Sequence, residues 1–419
     1  MARRAVITGF GVLAPGGIGA KAYWSLLAEG RTATRAITRF DASPYRSRMA
    51  GEVDFDALAC GLTPEQVRDL DRAAQFALVA GREAVDASGI DFAAGDPTRV
   101  GVALGCAVGC TTSIEREYVA GRLWELARGD GSAPPLYDYV NPSSMAAQLA
   151  RTVGAEGPVT LISTGCTSGI DAVAYAATLI EEGSADVVVS GGTEAPLSPI
   201  TAVCFDVLQA TSMRNEDPGG ACRPFDRSRD GLVLAEGCAI LIVEEYEHAK
   251  ARGANVHAEI AGYGSRCSTH HLTGLETEER EMAAAIGIAL ERARLRPAQV
   301  DYVNAHGSGT VQNDIQETGA LKRALGRAAG RIPVSAFKSM TGHALGAAGA
   351  LEIAGCLSAM REGLVPPTVN LREPDPECDL DYTPNVAREA DVRSVLTIGA
   401  GFGGFQSAMV LRRVDGGER

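Results

Sequence analysis

Residues 159–183, VTLISTGCTSGIDAVAYAATLIEEG, run from an apolar, β-branched start through a cluster of small residues into an alanine-rich helical pattern that closes on Glu-Gly. Residues 334–363, VSAFKSMTGHALGAAGALEIAGCLSAMREG, repeat that order of strand, small polar turn, alanine-rich helix and final Glu-Gly. Each segment reads as a β–α unit, because a short apolar run switches to helical periodicity across a turn. Both turns carry reactive side chains, so the repeat implies two related halves facing one site. The boundary is expected at 249–255, within HAKARGAN, a helix end and exposed turn, which gives halves 1–250 and 251–419.

The same alternation runs through the chain. Strands are expected at Ala5–Gly9, Arg99–Leu104, Val159–Ser163, Ala185–Ser190, Ala239–Val243, His257–Tyr263, Tyr302–Asn304, Val334–Ala336, Val395–Ile398 and Ser407–Leu411. Helices are expected at Asp71–Ser88, Ser168–Glu182, Glu278–Ala293, Asp314–Leu325 and Gly346–Glu362. Alternating elements of this kind define an α/β protein. A length of 419 residues accommodates two or three domains or one large duplicated unit.

Composition removes several classes of function. A net charge of −13 argues against a general binder of nucleic acid or anionic membranes. The opening MARRAVITGFGVLAPGG is broken by Gly and Pro and is too short for a signal sequence, and no later run reaches the roughly 18 apolar residues of a spanning helix, so the cytoplasm is the expected location. Ten cysteines without a secretion signal read as reduced thiols. Cys106 and Cys110 lack a second ligand pair at metal spacing, and no metal site is expected. The glycine-rich GFGVLAPGG and GAGFGGFQ do not have the strand before and helix after that a dinucleotide loop needs, so close backbone approach around a substrate is the expected use of their glycines.

Four side chains carry the candidate chemistry. Cys166 stands where a strand turns into a helix, beside unpaired N–H groups and the positive end of the helix dipole, which favour thiolate. His306 in VNAHGSGT and His343 in SMTGHALG follow short apolar strands, and Lys338 is one of few lysines in an arginine-rich chain. A thiol, two imidazoles and an ammonium make an acyl-transfer site in which the thiol takes up an acyl group and the histidines stabilise developing negative charge. A Cys–His protease is the competing reading. Its local signatures are absent, and it leaves the second histidine and the lysine without a task.

STGCTSGIDA, VNAHGSGT, FKSMTGHALGAAGALE and GFGGFQSA resemble, in order and spacing, the motifs of β-ketoacyl synthases over essentially the whole chain. LSPITAVCFD, RPFDRSRDGLVLAEG and DPECDLDYTPN resemble more narrowly the ketosynthase α subunit of bacterial type II polyketide synthases. The resemblance implies a thiolase fold with duplicated halves in a five-layer αβαβα arrangement. It implies that Cys166 takes the growing chain from the phosphopantetheine arm of an acyl carrier protein, and that His306 and His343 assist decarboxylation of the malonyl unit. Lys338 would support the pair, with Asp314 or Glu352 as its counter-ion. Backbone N–H groups of Cys166 and Phe402 would form the oxyanion hole, with Phe402 also a gate. No metal or redox cofactor is implied.

The implied partners are the acyl carrier protein and a chain length factor, joined in a heterodimer through the surface beside the nucleophile strands. Arg68 and Arg72 are candidates for holding the acidic carrier. The His270–His271 pair is not accounted for by these motifs. Alternatives are a fatty-acid 3-oxoacyl-acyl carrier protein synthase and a non-catalytic partner subunit, the latter expected to have lost the thiol or a histidine. Thiolase-type cleavage needs a second catalytic cysteine near the C-terminus, where the last thiol is Cys378 in an acidic loop.

Overall fold

The computed structural model describes residues 3–121, 136–274 and 279–414. Its main sheet is built from β1 (Ala5–Ala14), β2 (Val100–Gly105), β3 (Val159–Ile162), β4 (Val187–Glu194), β5 (Gly237–Glu245), β6 (Ala258–Cys267), β7 (Tyr302–Asn304), β8 (Val334–Ser335), β9 (Ser394–Gly401) and β10 (Phe405–Arg412). Their spatial order is β8-β7-β9-β10-β6-β1-β5-β4-β2-β3. Read outward from the centre, β1-β5-β4-β2-β3 and β6-β10-β9-β7-β8 are the same path taken twice. In each half the outer three strands are parallel and the inner ones antiparallel. The halves join through β1 and β6, at Val6 opposite Glu259 and Ile7 opposite Ala258.

Among the described residues, the longer helices of the other layers are α1 (Arg72–Ser88), α2 (Ser143–Val153), α3 (Ser168–Glu181), α4 (Arg280–Ala293), α5 (Val311–Leu325) and α6 (Ala348–Glu362). α1 and α2 pack on strands of the first half, α4 packs on β6 and β10 of the second, and α5 packs against α4. Helices α3 and α6 pack on each other and on strands of both halves, completing the five-layer αβαβα arrangement that the resemblance implies. Residues 348–360 of α6 are all buried, as expected of a helix with no polar face. Small residues set the spacing of this middle layer. A Cβ on Gly349 would come within 2.5 Å of Ile170 Cγ1, and one on Gly169 within 2.7 Å of the Ala350 nitrogen.

All ten expected strands are present, and β1 runs past Gly9 to Ala14. Gly9 and Gly11 lie under α1, where a Cβ would strike the carbonyls of Ala84 and Ala80. Their close approach is therefore to a helix, which corrects the expectation that they surround a substrate. Helices at Ala20–Glu29, Thr111–Val119, Ser143–Val153 and Pro199–Val207 were not apparent from periodicity; they are short, and several are interrupted by β-branched residues. The expected start of α4 at Glu278 lies outside the described residues. Among the described residues no helix is long and apolar enough to cross a membrane.

The α3–α6 contact generates a stability prediction. Gly349→Val forces two close-packed helices apart, and overpacking of this kind costs about 1–3 kcal/mol. Urea denaturation is expected to show a lower midpoint at unchanged slope; an unchanged midpoint contradicts the packing described.

Candidate active site

Strand β3 ends in a tight turn, Gly165–Thr167, that leads directly into α3. Gly165 takes φ +61°, a left-handed conformation that suits glycine and turns Cys166 into a cavity. The turn is held by the Asp171 carboxylate, one turn into α3, which accepts hydrogen bonds from the hydroxyls of Thr164 and Thr167. Asp171 also accepts from Tyr263 (3.1 Å) and Ser407 (2.6 Å), so strands of the second half fix the turn of the first.

The second half supplies the remaining groups from corresponding places. His306 follows β7, and Lys338 and His343 follow β8 on the way into α6. The cavity, of about 400 Å³, is lined by Cys166, His306, His343, Phe402, Phe205 and His271 among others. The two catalytic-type imidazoles meet edge to face, with ring centroids 5.2 Å apart. Lys338 Nζ lies 3.4 Å from His306 Nδ1, donates to the His306 carbonyl at 2.6 Å and pairs with Glu352 Oε1 at 2.5 Å. The Leu345 N–H donates to His343 Nδ1 at 3.1 Å.

Those contacts fix the tautomers. Nδ1 of each histidine faces a donor, so in the neutral ring Nε2 carries the proton. Burial and the Lys338 charge hold both histidines well below the usual imidazole range, and His343 adds to the effect on His306. Both rings are therefore neutral near pH 7 and available as N–H donors. Burial pushes the Glu352 carboxyl up to about 7, opposed by Lys338.

The thiol departs from expectation. Burial pushes Cys166 up to about 11, against the pull of the Lys338 charge and a hydrogen bond from the Phe402 backbone N–H. Glu194 and Glu352 add to the upward shift. The helix N-terminus favours thiolate, but withdrawal from water outweighs it, and the resting group is a thiol. Phe402 also touches the site through its ring, 6.2 Å from that of Phe205.

Other assignments change with the structure. Asp314 pairs with Arg229 Nε at 3.3 Å and accepts from the Phe225 N–H at 2.8 Å. It is thus the counter-ion of Arg229, and Glu352 is that of Lys338, because α6 and not α5 passes the ammonium. Arg72 is bound to Glu236 at 2.7 Å and lies over the rings of Phe55 and Phe76, so it is held inside the fold instead of being offered to a carrier. Arg68 is exposed and bridges its neighbour Asp69 at 2.7 Å. His271 reaches the cavity mouth, with Nδ1 accepting from the Thr273 and Gly274 N–H groups.

Two buried carboxylates escaped the sequence reading. Glu317 accepts from the N–H groups of His306 (2.5 Å) and Gly307 (2.8 Å), and burial pushes it up to about 8. Its signal was an acidic residue one turn beyond Asp314 on the same helix face. Glu194 closes the fully buried strand β4 and gave its signal as a carboxylate at the end of an apolar run.

A thiol held near 11 ionises about tenfold more with each pH unit below that value. Alkylation of Cys166 by iodoacetamide is expected to rise log-linearly from pH 7 to beyond 9. A plateau already reached by pH 8 contradicts the protonated resting state.

The β-ketoacyl synthase N-terminal domain family matches residues 2–249, and the β-ketoacyl synthase C-terminal domain family matches residues 257–372. The chain is 56% identical to the tetracenomycin polyketide synthase ketoacyl synthase α subunit of Streptomyces glaucescens, over 98% of this chain and 97% of that one. It is 40% identical to 3-oxoacyl-[acyl-carrier-protein] synthase 2 of Coxiella burnetii, over 98% and 99% respectively. Among solved structures, a type II polyketide synthase acyl-carrier protein in complex with its ketosynthase bound to the hexaketide superposes with a TM-score of 0.90 at 37% identity, covering 99% of this chain and 100% of that one. The ishigamide ketosynthase/chain length factor gives 0.88 at 33% identity, covering 99% and 100%. Matched by both domain families in order and by relatives along nearly its full length, the chain belongs to the β-ketoacyl synthase family.

Proposed function

We propose that this chain is the ketosynthase α subunit of a type II polyketide synthase, working on substrates carried by the phosphopantetheine arm of an acyl carrier protein and paired with a chain length factor. The observation that carries the reading is a half-buried thiol sharing one cavity with two neutral imidazoles whose Nε2–H groups are free of the contacts that occupy Nδ1. Identity of 56% to a polyketide ketosynthase α subunit against 40% to a 3-oxoacyl synthase favours the polyketide pathway over the fatty-acid one. The Cys166 thiol and both histidines are all present, which counts against a non-catalytic partner subunit. The two halves are residues 1–250 and 251–419, a division supported by family matches that end at 249 and resume at 257, and the protein works in the cytoplasm.

The chemistry proceeds in three steps. The Cys166 sulfur attacks the acyl thioester, and its proton leaves with the pantetheine thiol. The Cys166 and Phe402 N–H groups hold the oxyanion of that tetrahedral intermediate. Malonyl thioester then loses CO2, and the electron pair of the breaking C–C bond moves onto the thioester oxygen, where His306 and His343 donate from Nε2. Lys338, donating toward His306 Nδ1, strengthens that donor. The enolate carbon finally attacks the Cys166 thioester, a C–C bond forms as the C–S bond breaks, and the sulfur departs as thiolate and takes a proton from water. Each donor aimed at a developing oxyanion is worth about 3 kcal/mol, on the order of a hundredfold in rate.

The division of labour is testable. His306→Ala and His343→Ala are each expected to lower CO2 release from malonyl-carrier protein on the order of a hundredfold while acylation of Cys166 falls far less. Cys166→Ala is expected to keep CO2 release and make no condensed product. Equal loss of both half-reactions in the histidine variants, or condensed product from the cysteine variant, overturns these roles.

A further inference from the structure

Glu194 has no place in the three steps above, yet four donors converge on it. It lies at the end of β4 with no exposed surface and outside the cavity lining. Oε2 accepts from the N–H groups of Ala107 (2.6 Å) and Gly346 (3.0 Å), and Oε1 from the Cys106 thiol (3.1 Å) and the Val108 N–H (3.3 Å). The carboxylate thus ties the turn after β2 in the first half to the turn after His343 in the second. A buried carboxylate without a basic partner is costly, and in this place it is retained with donors alone.

The second turn is strained. Leu345 takes φ +43°, a left-handed conformation disfavoured for a side chain of this kind by about 1 kcal/mol or more. In that conformation the Leu345 N–H points back to His343 Nδ1 at 3.1 Å. The next residue, Gly346, is the one bound to Glu194, and a Cβ there would lie 2.7 Å from Glu194 Oε2. The strained residue therefore sits between the bond to Glu194 and the bond that selects the imidazole tautomer.

We propose that Glu194 is a positioning residue for His343: by holding the Gly346 N–H it keeps Leu345 in its strained conformation, and the Leu345 N–H in turn keeps His343 as the Nε2–H tautomer aimed into the cavity. This rests on the proposed decarboxylation role of His343. Without Glu194 the turn relaxes, Nδ1 loses its donor, and the ring divides between tautomers. The acylation half-reaction does not need that imidazole donor. It is expected to survive.

The test compares Glu194→Ala, Glu194→Gln and Gly346→Ala in the full chain with its partner subunit. Glu194→Ala and Gly346→Ala are each expected to lower CO2 release from malonyl-carrier protein about a hundredfold, the cost of a misplaced group, with Cys166 acylation at the parent rate. The double variant is expected to fall no further than Glu194→Ala alone, because the Glu194–Gly346 bond that Gly346→Ala disturbs is one of the four that Glu194→Ala removes. Glu194→Gln, whose amide oxygen can take the place of Oε2, is expected to keep most of the release. In parallel, 15N spectra of histidine-labelled protein, assigned by His343→Gln, are expected to show Nε2–H alone in the parent and mixed tautomers in Glu194→Ala and Gly346→Ala. Loss of both half-reactions together, or an unchanged His343 tautomer in the folded variants, overturns the inference. A parent protein that releases no CO2 strikes the proposed function instead, and the tautomer measurement still decides the role of Glu194.

Discussion

The contact between α3 and α6 is the constraint on which the site depends. Both helices are buried between the halves, and at Gly169 and Gly349 they approach too closely for a larger side chain. α3 begins at the turn after β3, and α6 begins at the turn that follows the short helix Lys338–Thr341 after β8, and their approach therefore brings the two turns into one cavity. Cys166 comes from the first turn and His343 from the second, with Lys338 just upstream. The repeated strand path then brings His306 in from β7 beside them. A duplicated β–α unit thus yields a nucleophile in one copy and charge-stabilising donors in the other.

Burial is the largest influence on the thiol, the two imidazoles and the buried carboxyls of the site. It raises the thiol, lowers both imidazoles and raises the carboxyls of Glu194, Glu317 and Glu352. At the centre lies Lys338 Nζ, paired with Glu352 and close to His306. Such a site is built for stabilising charge that appears during reaction, since neutral N–H donors already held in place need little reorganisation when an enolate forms. The same burial costs thiolate. Nucleophilic attack therefore starts from a thiol, and the proton balance is closed by the departing pantetheine sulfur.

Much of this was legible in the sequence. The strands and the long alanine-rich helices follow from period and composition, and Cys166, His306 and His343 each stand in a short turn beside an apolar strand, whereas Lys338 stands out by the rarity of lysine and opens the short helix Lys338–Thr341. What periodicity did not carry was tertiary. The choice between Asp314 and Glu352 depends on which helix passes Lys338, and nothing in RPFDRSRDG signals that Arg229 claims Asp314. The thiolate expectation weighed the local helix dipole and could not weigh burial supplied by the other half. Gly9 and Gly11 looked like Gly-rich loop residues because their helix neighbour, α1, lies more than sixty residues along the chain. Glu194 was missed for the same reason: three of its four partners are in the turn after β2 and the fourth follows β8.

The central claim is that Cys166 holds the acyl chain while the second half works on the next unit. Peptide-mapped mass spectrometry of the chain with its partner subunit and an acyl-loaded carrier protein tests it most directly. The account predicts an acyl adduct on the peptide that contains Cys166. No adduct, or an adduct confined to another of the cysteines, contradicts it.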